Sequence, residues 1–195
     1  HGVDYGHFSK NEKQTSVSEI FNSIPKPIIG FFGAISPWLD FNLIHLISKM
    51  RPEWSIVLIG PVDTDISDIN QIKNVYFPGR IRYDELPQYA AAFDVAIIPF
   101  LINELTVNVN PLKLLEYLAC GLPVITTNLP EVRRFKNAVY ISEDSGDFVR
   151  KIEVALAEDS SEKRKHRREL AQCQSSAATA ERFSSYIENR LNNIM

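Results

Sequence analysis

The chain has 195 residues, 45% of them hydrophobic and 23% charged, with a formal net charge of −3. That is ordinary globular composition, enough for one large α/β domain, and the slight acidity excludes a general pull toward nucleic acid or anionic membranes. Two cysteines far apart in sequence, Cys120 and Cys173, make neither a disulfide framework nor a metal spacing, so a reducing compartment is the default.

Residues 1–25 are polar and irregular, with one helical turn expected around residues 17–24; they read as a lead-in. The opening His1-Gly2-Val3-Asp4 has no initiator Met and reads as internal to something longer. Pro27-Ile28-Ile29-Gly30-Phe31-Phe32-Gly33 is a continuous apolar run, as a buried parallel strand requires. Residues 39–50 have helical spacing, and Arg51-Pro52 stops them. Trp54-Ser55-Ile56-Val57-Leu58-Ile59-Gly60 is the second strand and Val75-Tyr76-Phe77 a short third. Residues 84–93 read as a helix with Pro87 in its first turn. Asp94-Val95-Ala96-Ile97-Ile98-Pro99-Phe100 is the fourth strand. Val124-Ile125-Thr126 is the fifth, opened by Pro123, and Val139-Tyr140-Ile141 a weaker sixth. Residues 148–158 form an amphipathic helix, and residues 177–193 a last one with Phe183, Ile187 and Leu191 at helical spacing.

Strands alternating with helices predict a doubly wound, Rossmann-like parallel sheet of about six strands. Such sheets bind ligands beyond the carboxyl ends of their strands. Between the fourth and fifth strands lies the most informative stretch, Asn110-Pro111-Leu112-Lys113-Leu114-Leu115-Glu116-Tyr117-Leu118-Ala119-Cys120-Gly121. Asn110 suits an N-cap, Pro111 the first helical position, and Gly121 a left-handed residue after the helix end. At ~100° per residue, Leu112, Leu114, Leu115, Leu118 and Ala119 fall on one apolar arc, and Lys113, Glu116, Tyr117 and Cys120 on the other. A lysine in the first turn opposes the helix dipole, but together with free amides it holds an anion, phosphate above all. One turn on, the Glu116 carboxylate suits a pair of sugar hydroxyls. Phosphate followed by diol is the layout of a nucleotide; the alternative is a solvated face with an i, i+3 ion pair. The basic run Glu162-Lys163-Arg164-Lys165-His166-Arg167-Arg168 likewise reads either as a solvated helix face or as a contact for acidic lipid.

Over nearly its whole length the chain resembles the C-terminal nucleotide-sugar-binding domain of GT-B glycosyltransferases of the retaining family-four type. The likeness rests on His1-Gly2-Val3-Asp4…Phe8, Gly30-Phe31-Phe32-Gly33-Ala34, Leu58-Ile59-Gly60-Pro61, Asn74-Val75…Gly79-Arg80-Ile81…Asp84-Glu85-Leu86-Pro87 and Asp94-Val95-Ala96…Pro99. The most specific segment, Pro111 to Val124, is similar to a subgroup in bacterial cell-surface polysaccharide synthesis.

The resemblance implies a UDP- or GDP-linked sugar as donor, no further cofactor and no metal, and a saccharide or lipid-linked acceptor. Glu116 matches the second acid of the family's E-x7-E motif, which holds the ribose hydroxyls. The first acid falls at Asn108, which keeps a hydrogen-bonding contact to the donor sugar but no charge. The family's R-x4-K pair for the diphosphate is absent; Ser36-Pro37-Trp38-Leu39-Asp40 stands there instead. Lys113, Arg80 and the helix amides from Leu112 onward are the substitutes, Pro111 stands at the donor site where that helix begins, Gly33 gives close approach, and Thr106 and Asn110 are further candidate contacts to phosphate or sugar. The implied organisation is a lead-in over 1–25 from an N-terminal domain, a donor-binding domain over 26–174, and a C-terminal helix over 175–195 crossing back to that other domain. The implied place is cytoplasmic, at the inner face of the membrane if the basic run touches lipid. Two alternatives stand beside transfer: a non-catalytic nucleotide- or sugar-binding module, and a sugar-nucleotide epimerase, which would require a set of cleft carboxylates.

Overall fold

The computed structural model describes residues 2–10, 21 and 23–192. Six parallel strands form one sheet in the order β3-β2-β1-β4-β5-β6. They are β1 (Ile28–Phe32), β2 (Ser55–Ile59), β3 (Val75–Gly79), β4 (Val95–Ile98), β5 (Val124–Thr127) and β6 (Tyr140–Ser142). Every residue of β1, β2 and β4 is buried, as sheets covered on both faces demand. The order reverses between β1 and β4, so the two loops that follow these strands diverge and leave a crevice at their carboxyl ends.

The helices are α1 (Tyr5–Phe8), α2 (Phe41–Met50), α3 (Leu86–Ala90), α4 (Leu112–Ala119), α5 (Ser145–Glu158), α6 (Ser161–Cys173) and α7 (Ser176–Asn192). Side chains cap several of them: Asp40 accepts from Leu43 N, Asp144 from Asp147 N and Ser160 from Lys163 N. The expected helix over 84–93 is a 3₁₀ turn, Tyr83–Glu85, followed by the short α3. Its end is fixed by Asp94, whose carboxylate accepts from Ile28 N and pairs with Lys26, turning the chain into β4.

The lead-in is tied into the fold: Val3 and Phe8 belong to the core, Phe8 stacks on Phe32 with centroids 6.0 Å apart, and Val3 pairs with Ser175. The turn expected around 17–24 lies outside the described residues except at its end, where Phe21 and Ile24 are buried. The basic run is helix α6, and its cations are largely committed. Lys163 pairs with Glu158, Arg164 with Asp159 and Lys165 with Glu169, while Arg167 is 3% exposed, bonded to Asp159 and to Gly121 O. A buried, paired arginine is structural, so Arg167 belongs to the packing of α6 on the end of α4. On α7, Phe183, Tyr186 and Ile187 are exposed along one side; the side chain of Leu191 lies outside the described residues. No described helix is long and apolar enough to cross a membrane.

Candidate donor-binding site

Helix α4 starts on the carboxyl edge of the sheet. Pro111, in extended conformation, stands at the N-cap, and no side chain caps the helix. This corrects the expectation that Asn110 caps and Pro111 opens the first turn. The chain enters through the 3₁₀ turn Thr106–Asn108 and the extended Val109, which sets the start one residue later. A helix whose leading amides lack a side-chain acceptor keeps its positive end available. At the other end Gly121 (φ +80°) takes the expected left-handed conformation.

The face carrying Lys113, Glu116, Tyr117 and Cys120 is not a solvated one. α4 is packed by α1 and the end of β1 on that side and by α6 on another, so Glu116, Tyr117 and Cys120 are all buried. Leu112, expected on the apolar arc, is exposed instead. The Tyr117 hydroxyl accepts from Phe32 N at 2.8 Å, which fixes α4 against the last residue of β1.

Gly33 follows directly, with φ +140°. A Cβ there would stand 2.9 Å from Lys113 Cε, so only glycine lets the lysine lie against this backbone. Lys113 Nζ sits 5.1 Å from the Phe31 ring centroid and 4.7 Å from that of Phe100. Aromatic faces hold a cation without neutralising it. Among the described residues neither Lys113 nor Glu116 makes an ion pair. Burial lowers the Lys113 ammonium to about 8, opposed by the Glu116 charge. Burial raises the Glu116 carboxyl to about 7, opposed in turn by Lys113. Glu116 is 8% exposed. Two desolvated, unpaired, opposite charges one helical turn apart are costly for folding alone and typical of a ligand site. Burial, with help from Glu116, pushes the Cys120 thiol up to about 12, so it is inert.

The remaining sequence candidates are spread more widely. Arg80 is exposed just past Gly79, at the carboxyl end of β3. Asn108 is exposed, and its amide donates back to Glu104 O at 2.9 Å. Asn110 is exposed beside the buried Pro111. Thr106 is 1% exposed and its hydroxyl donates to Leu101 O and accepts from Asn103 N at 3.0 Å. That hydroxyl braces its own loop and is not free for a phosphate. Phe31, Phe100 and the Tyr117–Phe32 bond were not legible as site features, since aromatic residues in apolar runs read simply as core. A cleft of about 590 Å³ lies at the opposite, amino edge, lined by Tyr140, Glu158, Lys163 and His166 among others. Its Glu158 is taken by Lys163 and Tyr140, whereas the charges at Lys113 and Glu116 are uncommitted.

Residues 26–158, spanning every strand and the whole of α4, match the family described as glycosyl transferases group 1. The chain belongs to that family. It is 32% identical over 182 residues to TuaH of Bacillus subtilis (strain 168), named as a teichuronic acid biosynthesis glycosyltransferase. The match covers 89% of this chain and 46% of TuaH, so the chain spans about half the length of that relative. Among solved structures, Anabaena Alr3699/HepE in complex with UDP and glucose superposes with a TM-score of 0.72 at 15% identity, over 96% of this chain and 55% of that one. Sucrose-phosphate synthase of Thermosynechococcus elongatus gives 0.77 at 18% identity, over 98% and 52%. These likenesses carry the fold: the Rossmann-like α/β sheet of GT-B glycosyltransferase structures.

Proposed function

We propose that this chain is the C-terminal, donor-binding half of a retaining, metal-independent glycosyltransferase that uses a nucleotide-diphosphate sugar. One observation carries the reading: at the β1/β4 reversal, Lys113, from the uncapped first turn of α4, meets the Gly33 backbone, with the Glu116 carboxylate one turn further along the helix. A diphosphate at Gly33 would be neutralised by Lys113 and the helix amides. Its ribose would then reach Glu116, which accepts from both hydroxyls. Charge develops on the diphosphate as the glycosidic bond breaks, so a cation fixed in a low-dielectric notch acts most strongly at that moment. Arg80 and the backbone after Gly79 stand where the base would lie, and Asn108, whose Nδ2 is bonded to Glu104 O, offers its amide oxygen to the donor sugar. UDP is the favoured nucleotide, because HepE was solved with UDP and with UDP-glucose.

The acceptor is a saccharide or lipid-linked saccharide of cell-surface polysaccharide synthesis on the cytoplasmic side; the name of TuaH supports this class. The acceptor site and the remaining catalytic groups belong to an N-terminal domain, and the exposed Phe183, Tyr186 and Ile187 of α7 pack against it. One observation favours the second reading, a non-catalytic module. Asn108 replaces the family's acid and turns its amide to Glu104 O, so no negative charge faces the sugar.

Isothermal titration with UDP tests the site. Glu116→Ala weakens UDP by about tenfold or more, the cost of a lost charge-assisted diol contact, without unfolding the chain. Unchanged affinity in a folded variant overturns the assignment. Sugar transfer by the full-length protein separates the enzyme from the module.

A further inference from the structure

The lead-in helix α1 does more than close the core. Its His7 ring lies nearly parallel to the Tyr83 ring, at 19° with centroids 4.8 Å apart. Its Nε2 donates to Tyr83 O at 2.9 Å, which fixes the tautomer in which Nε2 carries the proton. Phe8, fully buried, meets the edge of the same Tyr83 ring at 5.6 Å. Tyr83 is thus held at its backbone, on one ring face and at one edge. Yet it remains 53% exposed, at the carboxyl rim in the loop that follows β3 and Arg80. No further aromatic ring among the described residues stacks on it.

A large aromatic side chain immobilised from behind and left open in front is an unusual use of apolar surface. Holding it still removes the rotamer entropy that a ligand would otherwise have to freeze. The phenol lies on the Glu116 side of the rim: burial, and after it the Glu116 and Asp4 charges, push it above its ordinary value. Helix α1 packs on both α3 and α4, which brings these groups to one stretch of the rim.

We infer that Tyr83 is the stacking platform for the nucleobase of the donor, and that His7, reaching over from the lead-in, is the positioning residue that holds this platform. The inference rests on the donor-site reading given above and adds to it a residue and a segment. The open face of such a ring takes a planar heterocycle by stacking. It adds affinity for a nucleotide without touching phosphate or ribose. The lead-in is then a working part of the donor site rather than a tether.

Titration of the chain with UDP and, separately, with inorganic pyrophosphate, which has no base, tests this. Tyr83→Phe keeps UDP affinity within about twofold, and Tyr83→Leu loses about tenfold, the scale of one base–aromatic stack. Pyrophosphate affinity stays within about twofold in both. His7→Ala loses about threefold for UDP alone, and His7→Phe, which keeps the stacked ring without the hydrogen bond, restores most of it. Thermal unfolding of each variant checks that the chain stays folded, as an exposed ring at position 83 permits. If Tyr83→Leu binds UDP normally while Glu116→Ala does not, the platform is refuted and the donor site stands. If UDP and pyrophosphate affinity fall together in folded Tyr83→Leu, the ring acts through loop structure and the platform is again refuted. If neither Glu116→Ala nor Tyr83→Leu changes UDP affinity, both readings fall.

Discussion

The two ends of α4 treat charge in opposite ways. At the C-terminal end every feature closes the helix. Gly121 turns left-handed, Arg167 donates to its carbonyl at 2.9 Å, and Arg168 reaches Cys120 O at 3.4 Å. Cations beside exposed helix carbonyls are where the dipole wants them. At the N-terminal end a lysine stands where the dipole disfavours it, no side chain caps the amides, and a carboxylate is buried one turn away without a partner. One helix therefore carries a finished end and an unfinished end, and the unfinished one faces the crevice. The charges at the closed end are met for the most part within the chain, while those at the open end make no ion pair among the described residues.

The contrast can be broken most severely at the finished end. Arg167→Ala leaves Asp159 with Arg164 alone and the Gly121 carbonyl without its donor, and should cost about 3 kcal/mol in urea unfolding, the low end of the range for breaking a buried pair because Arg164 still holds Asp159. Next in size is the pH dependence of the unfinished end. Between the ordinary carboxyl range and about pH 7, folded Glu116 holds a proton that the unfolded chain has released, so stability falls as pH rises. Lys113 works in the other direction. Its folded value of about 8 lies below the unfolded one, so stability recovers as pH climbs from about 8 toward the ordinary ammonium range. The expected curve has a trough between about pH 7 and 8, no deeper than about 3 kcal/mol on the acid side. Glu116→Gln removes the acid limb and Lys113→Met the alkaline one, each readable from chemical denaturation across pH. Smallest is Arg168→Ala, whose single long bond to Cys120 O is worth about 1 kcal/mol. It should leave UDP affinity within about twofold, because it works at the end turned away from the crevice.

The strands were legible because burial on both faces forces continuous apolar runs, and the α4 motif because glycine and proline punctuate it. Arg167 was not. Within Lys163-Arg164-Lys165-His166-Arg167-Arg168 nothing local distinguishes Arg167 and Arg168, which reach back to Gly121 and Cys120, from the neighbours that stay outside. Phe8 was hidden as a core residue for a related reason: the aromatic residues Tyr5, Phe8 and Phe21 are scattered through a polar lead-in without periodicity, and its partner Phe32 lies in another element. Lys113 and Glu116 could be placed on one face from spacing alone. Their burial depended on α1 and α6 arriving from both ends of the chain. Thr106 looked available to a ligand, but its hydroxyl is used within three residues by Asn103, a local bond that residue type alone does not reveal.

The bond from Phe32 N to the Tyr117 hydroxyl has a mechanical meaning. It welds the strand end that leads into Gly33 to the middle of the helix that bears Lys113 and Glu116, inside fully buried surroundings. The wall of the notch and its floor therefore shift as one solid piece. On the donor-site reading proposed above, an arriving pyrophosphate group would meet a mould already set to shape, with only the lysine tip left to swing.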